Sequence, residues 1–107
     1  MTKPVRLQLS RKKGSNLQEL SRQTNGLPAI NCARPHRDGN PYRVGHGGIQ
    51  SKAEAVAAHR AEMERAQRED PQAVALMVKR LHGSNLACWC GKGEPCHVDT
   101  LLELANQ

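Results

Sequence analysis

The sequence predicts a small α/β domain, a short sheet covered by three or so helices, and three features carry that expectation. Val5, Leu7 and Leu9 alternate with Arg6 and Gln8, which is the two-residue period of a half-buried strand. Two helix openings follow one another later in the chain, at Ser51 and at Asp70-Pro71. Behind them, the run Leu86-Ala87-Cys88-Trp89-Cys90 sits between a helix pattern ending at Gly83 and a Gly-Lys-Gly turn, as a buried strand would.

Taken in order, the first strand is expected from about Val5 to Leu9, and Arg11 to Asn16 reads as a polar loop. Leu17 and Leu20 place a short helix over Asn16–Gln23, stopped by Asn25-Gly26. Pro28 to Ala33 reads as a second strand, and Pro35 pushes Arg34 out of helical geometry. Arg34 to Gly48 (RPHRDGNPYRVGHGG) is a long irregular loop, of a length that more often serves function than decoration. Ser51 and Glu54 form a capping box for a helix to about Glu69, whose narrow, Ala-rich stripe suits the periphery. Asp70 caps the next helix and Pro71 opens it; Val74, Met77, Val78 and Leu81 recur at spacings of three and four, and Gly83 suits its left-handed end. Asn85 to Cys90 forms the last strand, Gly91-Lys92-Gly93 its turn, and Cys96 to about Ala105 a final helix on Val98, Leu101, Leu102 and Ala105.

At 107 residues one domain is expected. Leu, Ile and Val are few, Phe is absent and Ala fills the gap, so the core is thin and invites a staple such as a metal, a partner or an oligomer. The net charge of +6 is unevenly placed: residues 1–52 hold ten basic side chains against Glu19 and Asp38. Such a half faces an anion, whether nucleic acid, nucleotide phosphate or an acidic protein surface, or else forms an ordinary solvated face. Tyr42 and Trp89 are the only aromatic residues, too few for single-strand binding built on several stacking rings. No run approaches the roughly 18 apolar residues of a membrane span, and the start lacks an apolar signal core, so a cytoplasmic chain without membrane association is expected.

Cys32, Cys88, Cys90 and Cys96 make up the cysteine set, and in a reducing compartment disulfides are not expected of them. Cys88 and Cys90, two apart on a strand, point to one face, roughly 6.7 Å apart along the backbone. Cys96 and His97 fall in the first turn of the next helix, where free N–H groups favour a thiolate. The strand-turn-helix path brings Cys88, Cys90, Cys96 and His97 within reach of one tetrahedral ion, zinc being the natural candidate. The spacing is unlike that of a zinc knuckle, and side chains at adjacent helix positions diverge by about 100°. Two further readings therefore stand beside the metal: a catalytic Cys96 or Cys90 with His97, His36 or His46 as base, and inert buried thiols. Trp89, opposite the cysteines on the strand, and Cys32 are expected in the core. His59 and His82 are expected at the surface or at caps, His82 interacting with a helix C-terminus.

The long loop offers an anion site. Arg34 carries a fixed fork of donors, Asn40 would orient the ligand, Tyr42 follows a stiff Asn-Pro pair, and Gly45 begins the glycine-rich approach to the helix starting after Ser51. Neither a Walker nor a dinucleotide spacing is present. The plain alternative is a loop tied internally, with Arg34 paired to an acid such as Asp99.

The stretches LHGSNLACWCGKGEPCHVDTLLELAN and ARPHRDGNPYRVG together resemble the domain of unknown function family 4326, found in bacteria and their phages. Arg34, Pro35, Gly39, Asn40, Pro41, Tyr42 and Gly45 match one motif, and Cys88, Trp89, Cys90, Pro95, Cys96 and His97 the other. The resemblance implies a small α/β domain of unassigned activity. Three functions follow from residues and resemblance: binding of a nucleotide-like or other small anion beside the Cys/His cluster, with transfer or hydrolysis as the reaction class; sequence-tolerant nucleic-acid binding; and, from the family's distribution, a phage factor acting on a host protein, with a structural Cys/His site.

Overall fold

In the computed structural model, which describes residues 2–107, the elements run β1 (Arg6–Gln8), α1 (Leu17–Asn25), β2 (Ala29–Asn31), α2 (Lys52–Glu69), α3 (Pro71–Leu81), β3 (Asn85–Cys88) and α4 (His97–Ala105). The expected α/β architecture is present, with strands shorter than the apolar patterns that announced them. The pairing itself reaches further, since the Leu9 N–H donates to the Cys88 carbonyl at 2.8 Å and the Cys32 N–H to the Ala87 carbonyl at 2.8 Å. β3 ends at Cys88 rather than Cys90, and the chain then departs from the sheet into the turn before α4.

The three strands are parallel in the order β1-β3-β2, with Leu7 opposite Ala87 and Ile30 opposite Leu86. All of β3 is buried, the pattern of a strand covered on both faces, which is why it reads as a continuous apolar run. The exception is Asn85 at its start, fully buried and fully engaged. Its Oδ1 accepts from the Val5 N–H and from Asn25 Nδ2, each at 2.9 Å, while its Nδ2 donates to Ser21 Oγ at 2.7 Å and to Asn25 Oδ1 at 2.8 Å. This buried amide ties β3 to α1 and to the chain entering β1, the satisfied kind of network that specifies one packing.

The core is as thin as the composition implies. Leu81, Leu86, Val98 and Leu101 are buried against Cys32, Cys88 and Cys96. Each such aliphatic side chain is worth roughly 1.5–3 kcal/mol, so the packed thiols carry a real share of the apolar interior. α2 lies at the periphery, burying only Ala55 and His59. Its capping box forms with a small displacement: Ser51 Oγ accepts from the Glu54 N–H at 3.1 Å, while Glu54 Oε2 accepts from the Gln50 N–H, one residue before the cap, at 2.9 Å.

His59 corrects the expectation of a surface histidine. It is 4% exposed, because its position four residues after Ala55 puts it on the one face that α2 buries. There its ring meets His97 edge to face, with centroids 5.2 Å apart. His82 does tie to a helix end, its Nδ1 lying 2.7 Å from the carbonyl of Ala105, the last residue of α4. Among the described residues, no helix is long and apolar enough to cross a membrane.

Candidate metal and anion site

The sulfur atoms of Cys88, Cys90 and Cys96 lie within 4.8 Å of one another, so these three side chains can hold a metal ion. Cys88 closes β3, Cys90 stands in the turn, and Cys96 is the N-cap of α4, where its side chain accepts no capping bond and is left for the cluster. Cys88 and Cys96 are the nearest pair, with their Sγ atoms 2.6 Å apart. Three thiolates at about 2.3 Å from a tetrahedral ion stand nearly 4 Å from each other, so loading requires this pair to open by about an ångström, within reach of a side-chain rotation.

The three thiols differ in acidity. A bond from Cys96 pulls the Cys88 thiol below its ordinary range, while the same bond, and then burial, push Cys96 up to about 12. Cys90 is pushed up by burial and then by its neighbour Cys96. Of the three, Cys88 thus gives up its proton most readily, and a bound divalent ion is what would favour the thiolate form at all three. Cys32, in contrast, is a core thiol raised to about 12 by burial, as its expected interior place implies.

Two cations hold the turn that carries these thiols. Arg6 donates from Nη1 to the Glu94 carbonyl at 3.0 Å and to Asp99 Oδ2 at 3.2 Å, and from Nη2 to the Gly91 carbonyl at 3.2 Å. Lys52, the first residue of α2, reaches Glu94 Oε2 at 2.8 Å. The turn between Cys90 and Cys96 is thus tied to β1 through its backbone and to α2 through the Glu94 side chain.

Above the thiols opens a cleft of about 340 Å³, lined by residues that follow β2 and by Cys88, Trp89 and Cys90 at the end of β3. This is the carboxyl edge of a parallel sheet, the usual place for a ligand in open α/β folds. Arg34, Arg43, His46 and Lys52 also line it, and among the described residues no Asp or Glu does. Lys52 is paired with Glu94, whereas neither Arg34 nor Arg43 forms an ion pair among the described residues.

The loop residues singled out in the sequence take different places. Arg34, Asn40 and Tyr42 line the cleft; Gly45 does not, and its φ of +88° serves the turn of the chain instead. Asn40 is buried and committed to the fold: Nδ2 donates to the Ala55 carbonyl at 3.1 Å and Oδ1 accepts from the Tyr42 N–H at 2.9 Å, bolting the loop to α2. Arg34 folds back to donate from Nη1 to the Asn40 carbonyl at 2.8 Å. Asp99, the acid that the plain alternative offered as a partner for Arg34, is taken by Arg6. Gly39 is required here, since a Cβ on it would lie 2.9 Å from the Arg34 backbone nitrogen.

His97 lines the cleft but stands outside the sulfur group. Its Nε2 lies 2.9 Å from the Cys32 carbonyl and 3.0 Å from the Asp38 carbonyl, two groups that only accept, so this nitrogen carries the proton and is unavailable to a metal. Of the other candidate bases, His46 lines the cleft and His36 does not. Trp89 overturns its expected core position: it is 45% exposed on the cleft, because β3 ends one residue earlier and the alternation that would bury it no longer applies. Arg43, Lys52 and Trp89 are among the lining residues that sequence reasoning missed. Only the basic character of residues 1–52 hinted at the first two.

No curated protein and no solved structure matches the chain. A family model described as a domain of unknown function (DUF4326) matches residues 8–107, a span that contains the basic loop, the three clustered cysteines and every element from α1 to α4. The chain therefore belongs to the domain of unknown function family DUF4326.

Proposed function

We propose that this domain binds a small anionic, nucleotide-like ligand in the cleft, beside a metal ion held by Cys88, Cys90 and Cys96. The observation that carries the reading is the lining itself: three thiols able to hold an ion share one cleft with Arg34, Arg43, His46 and Lys52 and, among the described residues, with no carboxylate. Soft thiolates select zinc over the hard divalent ions, so zinc is the ion proposed. Three protein ligands leave a fourth position, the arrangement of a reactive rather than a closed structural site. Such a position offers Lewis-acid chemistry, which makes hydrolysis or group transfer the reaction classes to assay. Arg6, close beneath the thiols, offsets the excess negative charge of a three-thiolate centre, which leaves Arg34 and Arg43 for the ligand.

The test is elemental analysis of the purified chain, with thermal melts in chelator and in phosphate-bearing ligands. About one zinc per chain is expected, with a fall in Tm when it is stripped, a rise in Tm with nucleotide, and loss of that rise in Arg34→Ala/Arg43→Ala. A metal-free protein whose melt ignores chelator and anions alike contradicts the reading. A second reading, binding along a nucleic-acid strand, is favoured by Arg11 beside the exposed Trp89, next to Lys12 and Lys13. Its signature would be an affinity that falls steeply with salt as counterions are retained.

A further inference from the structure

This inference deepens the proposed anion site and rests on it. The chain has one Trp and one Tyr and no Phe. Its core is short of volume, and an aromatic side chain is the most effective way to fill one, burying on the order of 150–250 Å². Yet both rings line the cleft instead: Tyr42 is half-buried and Trp89 is 45% exposed. Each is placed by specific structure. Trp89 follows the last residue of β3, between two of the clustered cysteines, and Arg11 lies over its ring with Cζ 4.7 Å from the centroid. Tyr42 is held through its N–H by the buried Asn40.

We infer that the cleft recognises a planar base together with a phosphate: the ligand is a nucleotide whose base stacks on the Trp89 indole, with Tyr42 bordering the same space and Arg34 and Arg43 taking the phosphate. Arg11 lies over the indole and is not among the residues lining the cleft, so it holds the ring by a cation–π contact without itself occupying the cleft. The volume of about 340 Å³ lies at the small end of the roughly 300–1,000 Å³ typical of ligand pockets, which suits one nucleotide unit. That unit is a free nucleotide or a single unstacked nucleotide of a strand, since both present the same base and phosphate.

Trp89 is the only Trp, so intrinsic fluorescence of the full chain reads the stacking partner directly. Nucleoside 5′-monophosphates are titrated against ribose 5-phosphate, with calorimetry in parallel. Saturable quenching by the nucleotides is expected, with ribose 5-phosphate binding at least about 5-fold more weakly, because one base stack is worth that much or more. Trp89→Ala should weaken nucleotide binding by a similar factor while leaving ribose 5-phosphate binding unchanged, and Trp89→Phe should restore most of the loss. A short single-stranded oligonucleotide identifies the source: tighter quenching than by mononucleotides assigns the base to a strand, equal or weaker quenching to a free nucleotide. Equal binding of ribose 5-phosphate and nucleotide without a change in emission overturns the stacking and leaves the anion site standing. If neither ligand binds, both readings fall.

Discussion

Arg6, in the first strand, donates to Asp99 in the last helix across 3.2 Å, and the same guanidinium takes two carbonyls of the intervening cysteine turn. Its side chain is only 15% exposed against 59% for Asp99, so the bonds to the turn, more than the ion pair, define its role. Arg6→Ala is expected to lower stability by about 1–3 kcal/mol, the scale for lost bonds to a charged group, and to loosen the turn that spaces Cys90 from Cys96. Urea denaturation checks the first effect and the rate of zinc transfer to a chromogenic chelator the second. Asp99→Asn, which spares the two carbonyl contacts, should leave that rate near that of the parent chain.

The four cysteines should separate by substitution. Serine at Cys88, Cys90 or Cys96 removes a proposed ligand, and because metal binding energy is folding energy such variants are expected to lose the ion and melt at markedly lower temperature. Cys32→Ala removes a buried core thiol that belongs to no metal group, so it should cost about 1–2 kcal/mol through a small cavity while the metal content stays at the parent level. Metal analysis and melts on the four variants check the pattern. Retention of the ion by Cys90→Ser would remove that residue from the ligand set.

Much of this arrangement is legible in the residues, and where it fails the reason is physical. The caps at Ser51 and Asp70, the left-handed Gly83 and the apolar spacings of α3 and α4 are local signals, and the structure repeats them. The cluster of Cys88, Cys90 and Cys96 was visible because a strand, a turn and a helix start bring it together within nine residues of chain. The hold of the Cys32 and Asp38 carbonyls on His97 Nε2 was not legible, because these partners lie about sixty residues away and no local pattern reveals them. His59 failed for a similar reason: its burial is set against His97 of α4, an element distant in sequence. Trp89 failed because a strand end moved by two residues changes which face a side chain takes.

Gly39 has no room for a side chain, with the Arg34 nitrogen 2.9 Å and the Arg34 Cα 3.0 Å from where a Cβ would stand. Both obstacles are backbone, so Gly39→Ala must displace the loop that carries Arg34 to the cleft. The expected result is a stability loss of about 1–3 kcal/mol, as for other overpacked sites, together with weaker binding of phosphate-bearing ligands. Calorimetry with the ligand that binds the parent chain checks it. A variant of parent affinity would show that the loop path is not needed at the cleft.

His59 sets an acid limit on the fold. Burial, then the neighbouring His97 ring and Arg60, lower its pKa from 6.5 to about 4, against a weak opposing pull from Glu62. Its Nδ1 is buried without a hydrogen-bond partner, so a proton there has nothing to receive it. The folded chain thus holds His59 neutral where the unfolded chain would protonate it, and between these two values unfolding takes up a proton. The resulting stability is fully present above pH 6.5 and is lost progressively as the pH falls towards about 4. The scale is at most about 3 kcal/mol, from the free energy of one unit of pKa shift. His59→Leu removes the group while keeping an apolar side chain in its place. Thiolates at a metal would also take up protons in this range, so the informative quantity is the difference between the two chains. Urea midpoints measured across the window should fall more steeply for the parent than for His59→Leu, and parallel curves would show that His59 is solvated enough in the fold to titrate normally.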